Sequence, residues 1–186
     1  MGRVSQAQAR ENRERVVRTA SRLFREQGTH ISVADLMKAA GLTHGGFYKQ
    51  FASKEALIDE ATAHAFGELA ERRADALGQG TGRRAAAQRA LIDAYLSVEH
   101  RDNPAEGCPT AALAHDMARE PGAEEAHRVY TEGVGDFAEW LATEDEDGIA
   151  RLCTMIGALV LARATKDSPL SEKILATARA ALTEAD

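Results

Sequence analysis

The chain has 186 residues, 44% of them hydrophobic, enough to bury a core as one domain or as two small ones. No apolar run approaches the roughly 18 residues that a membrane span needs, and the opening MGRVSQAQARENRER is polar and unlike a signal peptide, so a cytoplasmic protein is expected. Cys108 and Cys153 are too few for a disulfide framework and lack CxxC spacing. The net charge of −6 hides an asymmetry: residues 1–54 hold ten Lys/Arg against four acids, a formal +6, so the remainder carries −12. A basic block on an acidic body attracts phosphates locally while the body discourages unspecific adhesion.

In chain order, Met1–Gln8 reads as an arm, with Arg3 and Arg10 able to reach a groove or phosphates, or as a solvated tail. From Arg10 to Gln27 the spacing of Val17, Ala20, Leu23 and Phe24 predicts a helix ending on Gly28, with Arg13, Arg18 and Arg25 near the outside. Thr29 and Ser32 fall in the loop before the next helix, where hydroxyls and backbone N–H groups commonly hold phosphate. Ser32 can N-cap that helix with Asp35 as the acidic member of a capping box, and Leu36, Met37, Ala39 and Ala40 supply its apolar stripe. Gly41 stops it, Leu42 packs the corner and Thr43 caps a short helix over His44–Gln50. Phe47 and Phe51 sit four apart and can anchor in a core, which turns His44, Gly45, Tyr48 and Lys49 outward. Helix, glycine turn and short helix make a helix-turn-helix, whose second helix enters the major groove of DNA.

Ser53 caps a long helix through Ile58, Ala61, Ala65, Leu69 and Arg73 to near Leu77; about 24 residues span roughly 36 Å, enough to join a reading head to a body. Gly78–Gly82 interrupts it, and with no strand before it and no GK[ST] after, it is a connection and not a nucleotide cradle. Further helices are expected over Arg83–His100, from Cys108-Pro109 through Leu113 and Met117 to about Arg119, and over Glu124–Thr143. HRDNPAEGCPT is the loop before the second of these, Pro121-Gly122 breaks it, and the acidic TEDEDG follows the third. Ile149–Thr165 is an almost wholly apolar helix, and Asp167-Ser168-Pro169 starts a last one to Thr183. No alternating strand pattern and no fixed repeat occurs, so the chain is all-α with about nine helices.

The run RVVRTASRLFREQGTHISVADLMKAAGLTHGGFYKQFASKEAL resembles the N-terminal domain of TetR/AcrR-type transcriptional regulators, through AS-x-LF, the terminal Gly28, S-V-x-D-L, A-G-L-T, G-x-FY, Phe51 and S-K-E-A-L. The resemblance covers the amino-terminal part of the chain. It implies a three-helix DNA-binding domain over residues 1–54 and a helical effector-binding and dimerisation domain over 55–186. It also implies a phosphate contact at Lys54, which the positive end of the helix starting there supports.

The candidate DNA contacts are Ser32, Thr43, His44, Gly45, Gly46, Tyr48, Lys49 and Lys54. Lys49 can donate to guanine, Tyr48 and Thr43 suit phosphate oxygens, and the two glycines admit the backbone. One short helix reads few bases, so two heads on a palindromic site are expected. The dimer seam is expected at the last two helices, where Leu152–Leu161 is apolar on more faces than one core uses and Gly157, Ala158 and Ala162 permit close approach. In the family the same two helices pair into a four-helix bundle.

For a small-molecule effector, Tyr95, Leu113, Met117, Tyr130, Phe137, Trp140, Cys153 and Met155 could line a cavity, with His115, His127 and Thr131 as polar contacts; the same aromatics could simply form core. Cys108 at a helix N-cap is a candidate reactive thiol with His115 two turns along, or a small buried residue. His100, Cys108, His115, Asp116 and His127 lack the spacing of a metal site, so no metal or cofactor is expected. Adjacent His115 and Asp116 point about 100° apart on a helix, which speaks against a hydrolase triad and for a protein that is not an enzyme. The function expected is a one-component repressor released from its operator by a small inducer. The alternatives are a thiol sensor of electrophiles or oxidants through Cys108, or a helical small-molecule-binding protein or enzyme that does not bind DNA.

Overall fold

Local signals in the sequence set most helix boundaries in a computed structural model that describes residues 6–77, 83–119, 124–144 and 147–183. Among the described residues there is no strand, and the α-helices are α1 (Gln6–Gln27), α2 (Val33–Ala39), α3 (Lys54–Leu77), α4 (Arg83–Tyr95), α5 (Val98–Asp102), α6 (Pro109–Met117), α7 (Glu124–Leu141), α8 (Ile149–Ala164) and α9 (Pro169–Thr183). Two short 3₁₀ segments, His44–Lys49 and Pro104–Glu106, complete the order. Gln6–Gln8 and Arg10, expected in or beside a free arm, belong to α1, where Arg10 pairs with Glu14; Arg3, the Gly78–Gly82 connection, the Pro121-Gly122 break and Asp145-Glu146 of the acidic run lie outside the described residues.

The Ser32 hydroxyl accepts the Asp35 N–H at 3.1 Å and opens α2. At the other end Gly41 takes φ +70°, with Gly41 N–H donating to Lys38 O at 3.0 Å and Leu42 N–H to Met37 O at 2.8 Å, the paired bonds of a Schellman cap. Ser53 caps α3 through the Ala56 N–H, and Pro109 and Pro169 open α6 and α9 at their first positions.

Three expectations need correction. Arg83–His100 is not one helix: Ser97 turns extended and its hydroxyl accepts the His100 N–H at 3.1 Å, so α5 starts afresh on its own cap. His44–Lys49 closes as 3₁₀, with Gly46 N–H on Thr43 O and Gln50 N–H on Phe47 O; two glycines in six residues leave little α propensity, and Thr43 makes no side-chain cap. Arg25 does not face outward. It is buried between α1 and the body, donating to Glu68 at 3.1 Å and to Gly107 O at 3.3 Å. Burial lowers its pKa, and Glu68 offsets part of that.

Two cores result. Val16, Phe24, Leu36, Met37, Phe47 and Phe51 pack with Leu57 and Ile58 at the start of α3. Further along α3, Phe66 and Leu69 join Ile92, Leu96, Phe137, Leu141, Met155 and Leu159 in the larger core of the body. No helix among the described residues is long and apolar enough to cross a membrane.

Candidate nucleic-acid interface and body cavity

The corner around residues 32–54 separates anchors from reaching groups. Phe47 is 0% exposed and stacks on Phe51 with centroids 5.4 Å apart, while its neighbour Tyr48 is 66% exposed and stands edge-on to Phe47. Ser32, Thr43, His44, Gly45 and Lys49 are exposed beside it; Gly46 is half-buried over Met37, and Lys54 is half-buried at the start of α3. Among the described residues neither Lys49 nor Lys54 makes an ion pair, so both ammonium groups remain available to an anion. Two details limit the phosphate reading. Thr29 is buried and its N–H already donates to Asp116 at 2.9 Å. At the start of α3, Glu55 accepts its own backbone N–H and the Ser53 hydroxyl, which holds its carboxyl below the usual range and places a negative charge next to Lys54.

The body contains a half-open cavity of about 260 Å³ between α3, α4, α7 and the loop before α6. Of the residues expected to line a cavity, Tyr95 and Phe137 meet there, together with the candidate thiol Cys108. The others do not. Leu113 and Met117 turn into the amino-terminal core, Trp140 and Met155 pack in the body core, His115 is exposed on α6, and His127 is half-buried on α7. Tyr130 donates its hydroxyl to Thr110 O at 2.7 Å; with Thr131 and Cys153 it borders a separate, larger cleft of about 690 Å³ between α7 and α8. The cavity gains instead Arg72, Arg73 and His100, which the sequence reading had not assigned to it. Arg73 could have been found, since it continues the inward stripe Ile58, Ala61, Ala65, Leu69 on α3.

His100 clamps the loop. Its Nδ1 is 2.7 Å from Tyr95 O, so Nδ1–H donates, and Nε2 accepts the Cys108 N–H at 3.1 Å, which fixes a neutral tautomer. Burial pushes its pKa down, with Arg163 and Arg72 adding to the effect. The unfolded chain therefore takes up this proton near 6.5, before the folded chain does, and stability should fall as pH drops below about 6.5 and level off once the folded form is also protonated. Thermal midpoints between pH 8 and 5 should show a decline that is smaller in His100→Gln; an identical decline in both would remove His100 as its source.

Helix α6 connects the two regions. Cys108 at its N-cap lines the cavity and Ala111 belongs to the body core, whereas Leu113 and Met117 belong to the amino-terminal core and Asp116 holds the loop after α1. On the far side of the body, Val160, Leu161 and Leu170 are exposed on α8 and α9, beside a groove floored by Gly157, Ala158 and Ile174 and bordered by Cys153.

Residues 16–61 match the family model described as bacterial regulatory proteins, tetR family. No curated protein matches the chain. Among solved structures, a TetR transcriptional regulator from Chloroflexus aurantiacus is similar at 22% identity and TM-score 0.73, over 95% of this chain and 94% of that one. The reduced form of NemR from E. coli is similar at 18% identity and TM-score 0.75, over 94% and 97%. A TetR-family regulator from Agrobacterium tumefaciens reaches 19% and 0.76, over 95% and 98%. At these identities the structures speak for the fold, which they share with this chain from end to end. Residues 16–61 thus carry the amino-terminal segment of the bacterial tetR regulators, with its helix-turn-helix, on a chain that shares the fold of these solved TetR regulators.

Proposed function

We propose that the chain is a ligand-responsive cytoplasmic repressor that grips a palindromic operator as a homodimer and lets go when a small molecule enters the body. It acts by binding and not as an enzyme. The reading head comprises residues 1–54 and contacts DNA through Ser32, Thr43, His44, Gly45, Gly46, Tyr48, Lys49 and Lys54. The single observation that carries the reading is α6, a nine-residue rod whose N-cap Cys108 lies against the cavity and whose Asp116 and Met117 lie against the head. A ligand that displaces the Cys108 end moves the Asp116 end with it. The exposed Val160, Leu161 and Leu170 support a seam of α8 and α9 with the same helices of a second copy, which would also cover Cys153. Linkage requires the inducer to bind the DNA-incompetent form more tightly, by about 1–3 kcal/mol for a useful switch.

Binding to fragments of the DNA flanking the gene, measured across a salt series, tests this. Lys49→Ala should weaken operator binding by about 1–3 kcal/mol if it reads a base and should lower the salt slope by roughly one if it neutralises a phosphate. A monomeric protein, indifferent to every such fragment at low salt, would sink the proposal.

A second reading, sensing through the Cys108 thiol, is favoured by the position of that thiol beside Tyr95 on the cavity wall. Cys108→Ser should then bind DNA normally but no longer be released by aldehydes or oxidants; unchanged release would discard the idea.

A further inference from the structure

The cavity wall carries a charge that no ion pair balances: Glu106 on the same wall is already taken by Arg22. Arg73 is only 6% exposed, yet its Nε and Nη1 have no hydrogen-bond partner, and among the described residues no carboxylate pairs with it. The carboxylate that acts on it, Asp136, stands beyond ion-pair distance. Phe137 takes the face of the guanidinium at 5.1 Å from the ring centroid, which leaves its N–H edges unused. Every other buried guanidinium nearby is engaged: Arg25 with Glu68 and Gly107 O, Arg163 with His100 O and Arg101 O. Tyr95, 5% exposed on the same wall, has a hydroxyl with no oxygen or nitrogen partner, its neighbour being the weakly bonding Cys108 thiol. Buried polar groups in native proteins are satisfied in the great majority of cases, and a lone buried charge is costlier still. A buried guanidinium without a carboxylate or carbonyl partner, on the wall of a pocket beside a tyrosine hydroxyl, is the arrangement that would receive an anionic acceptor.

We infer that the effector is a small monocarboxylate with an apolar body, its carboxylate taken by Arg73 and Tyr95 and its body by Leu69, Leu91 and Phe137. This rests on the ligand-responsive reading above and adds the chemical class. A guanidinium fork matches a carboxylate bidentately, and the charge-assisted bonds are the strong ones. Volume points the same way: at the ~30 Å³ a liquid water occupies, 260 Å³ holds on the order of ten non-hydrogen atoms, the size of an aryl or short branched acid. The neutral His100 beside it offers no competing charge.

Benzoate and its uncharged counterpart benzyl alcohol, titrated calorimetrically into the full chain, test the class. Benzoate should bind at least about ten-fold more tightly. Arg73→Met should lose that margin and Arg73→Lys keep part of it. Ligand-free Arg73→Met should also melt above wild type, because an unpaired buried charge has gone, and should no longer gain in midpoint from benzoate. Equal binding of the two probes to wild type, no binding of either at millimolar concentration, or benzoate binding undiminished in Arg73→Met overturns the assignment, and the wild-type comparison decides even if a variant fails to fold. Failure of the underlying reading looks different: benzoate binds through Arg73 but leaves operator affinity unchanged.

Discussion

Phe47→Ala is expected to abolish operator binding by unfolding the reading corner, while Tyr48→Ala abolishes it with the corner intact. The two aromatics are adjacent in sequence and opposite in environment. Phe47 is wholly buried and stacked on Phe51 in the amino-terminal core, so truncation should cost about 3–5 kcal/mol, with the lost ring pair included. That exceeds what a 3₁₀ segment with two glycines can lose and still hold its shape. Tyr48 is two-thirds exposed, and its removal should change stability by no more than about 0.5 kcal/mol. Urea unfolding monitored together with DNA affinity separates the cases: Phe47→Ala should shift the midpoint strongly and Tyr48→Ala should not, although both lose binding. A stable Phe47→Ala protein, or a Tyr48→Ala protein destabilised by more than about 1 kcal/mol, would show that the division into anchor and reader is misplaced.

That division was legible in the sequence because its causes are local. Ser32, Gly41 and Ser53 act on groups within five residues of themselves, and the four-residue spacing of Phe47 and Phe51 says which face turns inward. Ser97 acts just as locally, but it sits inside an apolar period that continues on both sides, and the period masked the cap. The cavity was only partly legible for a different reason. Periodicity shows that Leu113, Met117, Trp140 and Met155 face inward, but which of two cores each one enters depends on how the helices dock, and docking is set by pairs far apart in the chain. His100 bonding the Cys108 N–H, Asp116 bonding the Thr29 N–H and Arg25 reaching Gly107 O are all of that kind. Arg73 illustrates the remaining difficulty. The stripe on α3 placed it inward, but a lone charge in an apolar stripe reads as a side chain whose stem is buried and whose head escapes, and only the packed body shows that the Nε and Nη1 of this one are buried without a partner.

The docking of α3 against α7 yields the second large effect, and glycine is its cause. A Cβ on Gly133 would stand under 3.0 Å from three ring carbons of Phe66, closer than side-chain carbons come, whereas one on Gly135 would meet nothing within 4 Å. Both glycines lie inside α7, where Gly is less favourable than Ala by about 0.5–1 kcal/mol. Gly135→Ala should therefore raise stability by about that amount. Gly133→Ala should lower it by about 1–3 kcal/mol, because Phe66 is itself wedged edge-on against Tyr130 and can yield only by moving α3. Since α3 carries both the reading corner and the Arg73 wall, the same displacement should weaken operator binding in Gly133→Ala but not in Gly135→Ala. Trimming the ring restores the room: Phe66→Leu with Gly133→Ala should be more stable than the sum of the single changes allows, a coupling that a double-mutant cycle in urea measures directly. Additive behaviour, or a destabilised Gly135→Ala, would mean that the close approach of these two helices is not what Gly133 is there to permit.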